Sequence, residues 1–483
     1  MPRLRKLLTT LAITAGIITL VSGLLWYKFS ANISPEMWLH AENVVQGQAS
    51  LSGDRTPGEL IRYANRRLEG HPNLEALVHP PLLWVQAKVE RPVPLGPLPT
   101  LGKGQQPESP SPLPGQSPTP NIYAATPQEL IKAYTTAQAG QTILLAPGNY
   151  RINQNLRTQT GGTALQRITL RASQPGQAQI EFNAQEGFIV AHPYWVFENL
   201  TIRGACPYPG NCEHAFHVVG NGAHLVVRNN TIVDFNSHLK INGLEGNWPD
   251  NGVLQHNTIT NTTPRTTQSP TTPFDLVAAS RWQVLDNIVS NFVKNGSNGI
   301  SYGIFMKGAG SGGRIERNLV ICTPQDVSQP GVRVGISFGG GTTGAEFCRD
   351  QLCIAEHTAG LAANNIVAHC NDFGIDINRS TSIVIAHNTL INTAGIDVRD
   401  ASSAKLYGNL LEGRMRQRKG GQATLEMNEI ANLRDVFEDP NALNLTWRKA
   451  PDNIPSILLV PKDFYGQARS SGTPPGALVG GTP

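Results

Sequence analysis

The sequence predicts an all-β fold, a solenoid of parallel strands, and three observations lead to this fold class. A short phrase, seen in VVRNNTIV, VLQHNTIT and VIAHNTLI, recurs between residues 196 and 413. Most copies follow one another at about 20 to 30 residues, too close for βαβ units and suitable for one solenoid coil. The chain of 483 residues has 48 glycines, 35 prolines and only 15% charged residues, which is typical of a turn-rich β protein.

Each copy of the phrase contains an asparagine, and these asparagines are predicted to stack in a ladder. An Asn at the same turn of every coil can hydrogen-bond its own backbone and the Asn of the coils above and below. The alternative is that Asn only marks turns between strands. The aligned residues are Asn199, Asn230, Asn257, Asn287, Asn318, Asn365, Asn388 and Asn409.

Residues 1–30 are predicted to form a membrane anchor. Three basic residues, Arg3, Arg5 and Lys6, precede an apolar run at residues 7–27. As a helix this run would span about 31 Å, close to the thickness of one bilayer core. Positive charge on its short N-terminal side predicts that the rest of the chain faces the periplasm or the exterior. Cleavage of this segment as a signal peptide is the alternative.

The remainder of the chain divides by composition into four segments. Residues 31–90 have a helical pattern and are predicted to form a small juxtamembrane segment. Residues 91–120 contain ten prolines and predict an extended linker. The β-helix domain is expected at residues 121–420, and residues 421–483 are expected to be a C-terminal extension that packs on it.

The β-helix domain is predicted to open with a helical cap. Thr126 and Glu129 form a capping box, with Pro127 at the first helical position. A helix here would cover the open end of the first coil, which otherwise presents unpaired strand edges. Further along, residues 261–273 are rich in Thr and Pro, which predicts an exposed loop.

The cysteine pattern favours disulfides in an oxidising compartment. Two close pairs are present, and two further cysteines each end a ladder phrase, where they could stack on neighbouring coils. A zinc site is the rival interpretation, but neither close pair has CxxC spacing. The close pairs are Cys206 with Cys212 and Cys348 with Cys353, and the remaining two are Cys322 and Cys370.

One strand of each coil carries unusual residues, as in AFHVVG, HLKING, FDLVAAS and GIDIN. Alternation places every second residue inside the solenoid and its neighbours outside, about 5 Å apart on adjacent coils. The predicted inward residues are Val218, Leu239, Ile241, Leu276, Ile375, Ile377, Ile396 and Val398. The predicted outward residues are His217, Lys240, Asn242, Asp275, Lys307, Arg333, Asp376, Asn378, Asp397 and Arg399. Such a charged stripe suits an extended acidic polymer.

The overall charge argues against a nucleic-acid partner. The formal net charge is +4, and the basic residues are scattered rather than interleaved with aromatic residues in one block. We therefore expect a polysaccharide partner, no nucleic acid, and a monomer.

Three stretches carry a resemblance to a known family. They are TPQELIKAYTTAQAGQTILLAPGNY, the NTI-type ladder and the closing DFYGQARSSGTPPGA. Together they resemble bacterial right-handed parallel β-helix proteins of the pectate-lyase superfold, in particular the chondroitinase B and alginate lyase group of polysaccharide lyases. The resemblance implies a right-handed, single-stranded β-helix. It also implies Lys240 as a catalytic base paired with an Arg one coil away, but the next coil reads FDLVAASRW, with Arg281 only at the following turn.

A lyase acting on a uronic acid needs a base, a stabiliser of the enolate and an acid. We predict Lys240 as the base and Arg333 with Lys307 as ligands of the substrate carboxylate, with Ca²⁺ as a possible additional stabiliser. The predicted substrate-binding residues are His217, His238, Asn242, Asp275, Asn378 and Arg399. The alternative is that Lys240 is an ordinary solvated lysine on a strand.

Two further functional interpretations remain open. Asp376 and Asp397 occupy equivalent places one coil apart, as the acid and base of a glycoside hydrolase would, or as Ca²⁺ ligands together with Asn378. They could equally be neutralised by Arg379 and Arg399 as surface ion pairs. A non-catalytic carbohydrate-binding or envelope structural protein on the same scaffold is the alternative from another class.

Overall fold

The computed structural model describes residues 77–78, 80–82, 84–85, 121–324, 331–340, 343–470 and 472–480. The predicted anchor at residues 7–27 and the predicted linker at residues 91–120 lie outside these residues. The described residues between 77 and 85 are helical. Within the described ranges, no helix is both long and apolar enough to cross a membrane.

Three long parallel sheets wind into a solenoid. One coil runs through Val226–Arg228 of the first sheet, Thr231–Val233 of the third sheet and Leu239–Asn242 of the second sheet. Each of these strands pairs in parallel with its counterparts in the preceding and following coils. The chain is therefore a parallel β-helix, as predicted.

The strands repeat through the described part of the main domain. The first sheet comprises Ile122–Ala124, Thr142–Leu145, Ile168–Ala172, Trp195–Glu198, Val226–Arg228, Val253–Gln255, Gln283–Leu285, Arg314–Glu316, Leu361–Ala363, Ile383–Ala386, Ser403–Tyr407 and Gln422–Glu426. The second sheet comprises Leu156–Arg157, Glu186–Val190, His214–Val219, Leu239–Asn242, Phe274–Val277, Ile300–Lys307, Val332–Phe338, Ile375–Asn378, Gly395–Arg399 and Arg414–Arg418. The third sheet comprises Gly148–Ile152, Ala178–Phe182, Leu200–Gly204, Thr231–Val233, Thr258–Thr260, Ile288–Ser290, Leu319–Ile321, Ile366–Ala368, Thr389–Ile391, Leu410–Leu411 and Glu429–Ile430.

Shorter elements lie in the turns, at the start of the main domain and in the C-terminal region. The short strands are Arg265–Thr266 with Lys294–Asn295, then Gly310–Ser311, His357–Thr358 and Ser380–Thr381, and the antiparallel pair Phe437–Asp439 and Asn444–Trp447. Among residues 121–480 that the structure describes, the α-helices are Pro127–Thr136 and Leu433–Val436, and single 3₁₀ turns occur at Pro209–Asn211, Ala345–Phe347 and Pro440–Ala442.

The asparagine ladder is present, at the short turn between the first and third sheets. The amide oxygen of Asn318, for example, accepts bonds from the backbone N–H and the Nδ2 of Asn287, both at 3.0 Å. The Nδ2 of Asn318 in turn donates to Val284 O and to Asn365 Oδ1. The same pattern links Asn230 through to Asn409. Stacked side chains thus satisfy the buried polar groups of each turn.

The predicted ladder contains one wrong residue at its start, Asn199, and omits one residue at its end, Asn428. Strand pairing aligns Asn199 with Asn229, so Leu200 occupies the ladder position and its backbone N–H donates to Asn230. Asn199 instead takes the left-handed conformation just before it, with φ of 61°, which asparagine tolerates better than most residues. At the other end, Asn428 continues the ladder by accepting from Asn409.

The interior is apolar, and the predicted alternation of the second sheet is confirmed. All eight residues predicted to face inward are at most 1% exposed. At the N-terminal end, the interior is filled by aromatic rings, with Phe188 against Phe197 and Phe216 at 4.9 and 5.3 Å between ring centroids.

The helix Pro127–Thr136 begins with the predicted capping box, in which Thr126 and Glu129 bond each other's backbone. Its buried side of Leu130, Ala133 and Tyr134 joins the solenoid core. The Tyr134 ring lies 4.9 Å from that of Trp195. That this helix serves as a cap stays a prediction.

The solenoid continues beyond the predicted boundary at residue 420. The strands Gln422–Glu426 and Glu429–Ile430 close a further coil that carries Asn428. The chain after them packs on the outside of the solenoid, where Leu433, Phe437 and Leu478 cluster with Ile366 and Leu410 of the third sheet.

All six cysteines form disulfides, as predicted. The bonds join Cys206 with Cys212, Cys322 with Cys370, and Cys348 with Cys353. The second bond links neighbouring coils from inside the core, because both cysteines are fully buried. Among the described residues, the one cluster with metal-ligand character, at Cys348, Cys353 and Glu356, contains a disulfide, so its sulfur atoms are not thiolate ligands.

The insertion at residues 261–273 is not the uniformly exposed loop that was predicted. Arg265, Thr271 and Thr272 are at most 3% exposed. Arg265–Thr266 pairs in parallel with Lys294–Asn295 of the next coil, so the insertion extends the coil instead of projecting from it.

Candidate functional site on the outer face of the second sheet

Strand register aligns the predicted polar residues in one outward row. Across adjacent strands the register runs from His217 to Lys240, Asp275, Phe305, Ser337, Asp376 and Asp397. Neighbouring strands lie about 4.8 Å apart, so each side chain contacts those of the coils beside it. A second outward row, two residues along each strand, contains Asn242, Lys307, Asn378 and Arg399.

A buried carboxylate between two lysines is the clearest charged unit of this face. Lys240 Nζ lies 2.5 Å from Asp275 Oδ2, and Lys307 Nζ lies 3.6 Å from Asp275 Oδ1. Burial raises the pKa of Asp275, but the charges of Lys307 and Lys240 outweigh it and lower that pKa to about 2. Two ammonium groups therefore share one carboxylate, and one positive charge remains in excess. Lys307 also lies over the ring of Phe305, 4.2 Å from its centroid.

A histidine bonded at both ring nitrogens lies beside this unit. His217 Nδ1 is 2.6 Å from Glu186 Oε1, and His217 Nε2 is 2.8 Å from Asn242 Oδ1. The hydrogen bond with His217 lowers the pKa of Glu186. The carboxylate of Glu186 fixes the orientation of the imidazole, and the amide oxygen of Asn242 occupies the other ring nitrogen, so a substrate must displace that amide before this nitrogen can exchange a proton.

Two buried aspartates form a second charged unit toward the C-terminal coils. Arg399 binds both oxygens of Asp376, each at 2.9 Å, and Arg418 binds Asp397 at 2.6 Å. Burial raises the pKa of Asp376 to about 6 in spite of the bonds from Arg399. The predicted partner Arg379 does not take part, since its guanidinium donates to the backbone oxygen of Cys353.

Two predicted site residues do not reach the surface. Arg333 is fully buried at the start of a long strand, where its backbone bonds Asn371 and Asp372 of the next coil's turn. His238 is also buried, and its Nε2 lies 3.0 Å from Thr260 O. Burial lowers the pKa of His238 to about 3, so the ring is neutral. Neither side chain is placed to contact a polymer on this face.

The arginine that the family resemblance implies is also absent from the row. Arg281 lies at the turn after the strand Phe274–Val277, with φ of 56°. Its guanidinium pairs with Asp250 at 3.0 Å, and Arg349 binds the same carboxylate at 2.8 Å. Arg281 therefore holds a turn and contributes no charge to the outward row.

Asp376 and Asp397 do not fit a Ca²⁺ site in this arrangement. Ca²⁺ takes six to eight oxygen ligands. Here the two carboxylates are already bound by Arg399 and Arg418, and both are at most 1% exposed. Guanidinium groups already neutralise both carboxylates, so no chemical step is assigned to a metal ion at this position.

Sequence reasoning missed Glu186, Arg418 and the aromatic pair of Tyr302 and Phe305, whose rings stack at 4.2 Å. The arginines at every second position of RMRQR indicate one more strand, Arg414–Arg418, whose basic side chains face outward. Glu186 gave no such signal, because its role depends on His217 in the next coil.

Comparison with known proteins supports the fold. No family model and no curated protein sequence matches the chain. The solved structure of pectate lyase Pel9A matches with a TM-score of 0.51 at 15% identity, covering 76% of this chain and 98% of that one. An alginate lyase from Paenibacillus sp. str. FPU-7 matches with a TM-score of 0.38 at 14% identity, covering 65% of this chain and 99% of that one. A rhamnogalacturonan lyase matches with a TM-score of 0.42 at 12% identity, covering 64% and 86%. The likeness to Pel9A shows that the chain has a pectate-lyase-like parallel β-helix fold.

Proposed function

We propose that this protein binds an acidic polysaccharide along the outer face of the second sheet and cleaves it by β-elimination. The observation that carries the proposal is the unit of Lys240, Asp275 and Lys307, which keeps one positive charge in excess on an accessible strand face. A substrate carboxylate would bind there by charge-assisted hydrogen bonds. Pel9A, which has the same fold, is named for an acidic polysaccharide, and this supports the substrate class.

The length of the face supports a polymer over a single sugar. The outward row from His217 to Asp397 crosses seven neighbouring strands. At about 4.8 Å per strand the row extends for about 29 Å, enough for several sugar units.

β-Elimination on a uronic acid requires a base, a stabiliser of the enolate and an acid that protonates the leaving glycosidic oxygen, and one protonatable group of this face would serve as both base and acid. Lys307 and Lys240 would neutralise the carboxylate and stabilise the enolate that forms when the adjacent proton leaves. The sequence predicts Lys240 as the base, but its ammonium group is bonded to Asp275. His217, oriented by Glu186, is the other candidate. Its Nε2 would exchange the bond with Asn242 for the substrate, take the proton next to the carboxylate and return that proton to the leaving oxygen. Arg333 has no role in this scheme because it is buried.

The disulfides support a location outside the cytoplasm. Three disulfides, one of them inside the core, form and persist in an oxidising compartment. We therefore propose that the β-helix domain lies in the periplasm or at the cell exterior, tethered by the anchor predicted from residues 7–27.

The reaction is tested by following the product of elimination. The full chain would be incubated with uronic-acid polymers, with and without added Ca²⁺, and absorbance of the new double bond followed at about 235 nm. We expect the absorbance to rise with at least one polymer and to fall by roughly 100-fold or more in rate for Lys240→Ala. Lys405→Ala serves as the matched control, since Lys405 forms an exposed ion pair with Glu426 on the first sheet and should leave the rate unchanged.

Conservative variants separate the two assignments of the base. Lys240→Arg keeps a cation that cannot act as a base at neutral pH. If Lys240 only binds the carboxylate, Lys240→Arg retains substantial activity while His217→Asn loses it. If Lys240 is the base, the order reverses. Equal activity of both variants and wild type would exclude this face as the site of the reaction.

A non-catalytic carbohydrate-binding protein is the second candidate, and one observation favours it. Lys240, His217, Asp376 and Asp397 each already have a charged partner within the protein. Ion pairs of this kind fix the side chains of a binding surface in position and do not take part in proton transfer. Retained polymer binding without any absorbance change, in both wild type and Lys240→Arg, would support this second function.

A further inference from the structure

A second candidate site lies away from the row on the second sheet, around a buried arginine. Arg265 is 1% exposed. Its Nε donates to Asn236 Oδ1 at 3.1 Å, and its Nη2 donates to the backbone oxygens of Pro209 and Cys212. With the residues that the structure describes, Arg265 forms no ion pair, and its Nη1 makes no hydrogen bond. The charge of Asp234 acts on Arg265, but neither oxygen of that carboxylate lies within ion-pair distance of the guanidinium, and a buried charge without a bonded counter-ion is costly.

Arg265 forms part of the wall of a cavity of about 280 Å³. The lining also includes Glu181 and Arg203 from two neighbouring strands of the third sheet, and the exposed Thr263. The disulfide between Cys206 and Cys212 closes the loop that forms another wall. The cavity is smaller than the roughly 300 to 1,000 Å³ of sites for drug-sized ligands, which suits a single small molecule.

The charged residues of the cavity lining differ in how many hydrogen-bond and ion-pair partners they have. Asp234 is bound by Arg203 at 3.3 Å and by the backbone and hydroxyl of Thr262, both at 2.8 Å, so it is occupied. Arg265 has no carboxylate of its own. Glu181 has one neutral partner, Gln179, at 2.7 Å, and so keeps acceptor capacity toward the cavity.

We propose that this cavity binds a small sugar acid, with the carboxylate of the ligand on Arg265 and its hydroxyl groups on Glu181 and Thr263. A ligand carboxylate would supply the direct ion-pair contact that Asp234 does not make with Arg265, and the carboxylate of Glu181 in the same cavity lining suits hydroxyl donors. This site is independent of the polymer-cleaving face proposed above, because its walls come from the third sheet and from the turns that follow it.

The proposal is tested by calorimetry and thermal unfolding of the full chain with galacturonate as the probe. Glucose tests the need for the acid group, and inorganic sulfate tests whether any small anion is enough. We expect galacturonate to bind and to raise the melting temperature, because a ligand that binds only the folded state stabilises it. Arg265→Gln should weaken galacturonate binding at least 10-fold.

Two further variants keep the test decisive if Arg265→Gln fails to fold. Thr263→Trp places a bulky side chain at the exposed rim and should block binding without loss of stability. Arg314→Gln is the matched control, since Arg314 forms a half-exposed ion pair on the first sheet, and it should bind as wild type does.

Three results would overturn the proposal: no binding of galacturonate by wild type, equal binding by wild type and Thr263→Trp, or a response to sulfate but not to galacturonate. Failure here is distinguishable from failure of the polymer assay. Thr263→Trp should leave the elimination rate unchanged, because Thr263 lies at a turn after the third sheet and not on the second sheet.

Discussion

Single ionisable groups on the second sheet take their properties from the coils next to them. Asp275 and Asp376 occupy the same outward row, three strands apart, and both are nearly fully buried. Lys240 and Lys307 keep the pKa of Asp275 near 2, whereas burial prevails at Asp376 and raises its pKa to about 6. The difference lies in the neighbours: two cations flank Asp275, while Asp376 has the carboxylate of Asp397 beside it. Two equivalent positions on one scaffold therefore present different chemistry.

Asp275 should stabilise the protein in a pH-dependent manner. Its pKa is lower in the folded state, about 2, than in an unfolded chain. The stabilisation is therefore present above pH 4 and is lost as the pH falls from about 4 to 2, amounting to about 2 kcal/mol in the free energy of unfolding. Asp275→Asn should lower the free energy of unfolding at pH 7 by about 2 kcal/mol or more, because it leaves two lysines without their carboxylate.

Denaturant unfolding of Asp275→Asn at several pH values checks this expectation. Glu426→Gln is the control, since it removes an exposed partner of Lys405 and should cost under about 1 kcal/mol. An Asp275→Asn variant as stable as wild type at pH 7 would contradict the assignment of Asp275 as a charged, ion-paired group.

Among the elements, the ladder turn fixes the register of the coils. Each ladder asparagine bonds the asparagine of the next coil and a backbone oxygen of the preceding one, so a turn cannot shift without breaking bonds on both sides. The residue before each ladder position takes the left-handed conformation, as at Asn229, His256 and Asp286. Because the turns are locked in this way, outward residues of the second sheet stay aligned from coil to coil.

Removal of one ladder residue should destabilise the protein far more than removal of a neighbour outside the ladder. Asn318→Ala leaves buried backbone and side-chain groups of two coils without partners, and we expect a loss of about 2 to 4 kcal/mol in the free energy of unfolding. Asn199→Gly, at the left-handed position beside the ladder, should cost under about 1 kcal/mol because glycine readily adopts positive φ. Denaturant unfolding measures both, and similar losses in the two variants would contradict the ladder assignment.

At the scale of the whole molecule, stability is built from contacts between neighbouring coils, as in other solenoids. The disulfide between Cys322 and Cys370 adds a covalent link between two coils and closes a loop with a sequence separation of 48 residues. The bond between Cys348 and Cys353 closes a separation of only 5 residues and shapes one turn. The two bonds therefore differ in how far they constrain the unfolded chain.

Loss of the inter-coil disulfide should cost more than loss of the local one. Chain-entropy arguments give about 4 kcal/mol for the double replacement of Cys322 and Cys370 by Ala, and about 2 kcal/mol for that of Cys348 and Cys353. Thermal unfolding of the two double variants would measure the difference. A larger loss from the local pair would show that Cys348 and Cys353 hold a structure beyond their own turn.

The sequence by itself determined the architecture, because architecture depends on patterns that repeat. The recurring Asn phrase predicted the coils, and residue alternation predicted which side chains of the second sheet, such as Ile241 and Ile396, lie inside. Cysteine positions within the repeat predicted that Cys322 and Cys370 stack. These features depend on neighbours along the chain or on the same position one coil away.

Only the tertiary structure decided which charges meet, because partners come from different coils and from turns of unequal length. It buried Arg333, paired Arg281 with Asp250, and supplied Arg418 as the partner of Asp397. It also placed Arg265, from an insertion with the composition of a polar loop, in the lining of a cavity. Desolvation and Coulomb interactions act over a few ångströms in space, and sequence spacing does not encode those distances.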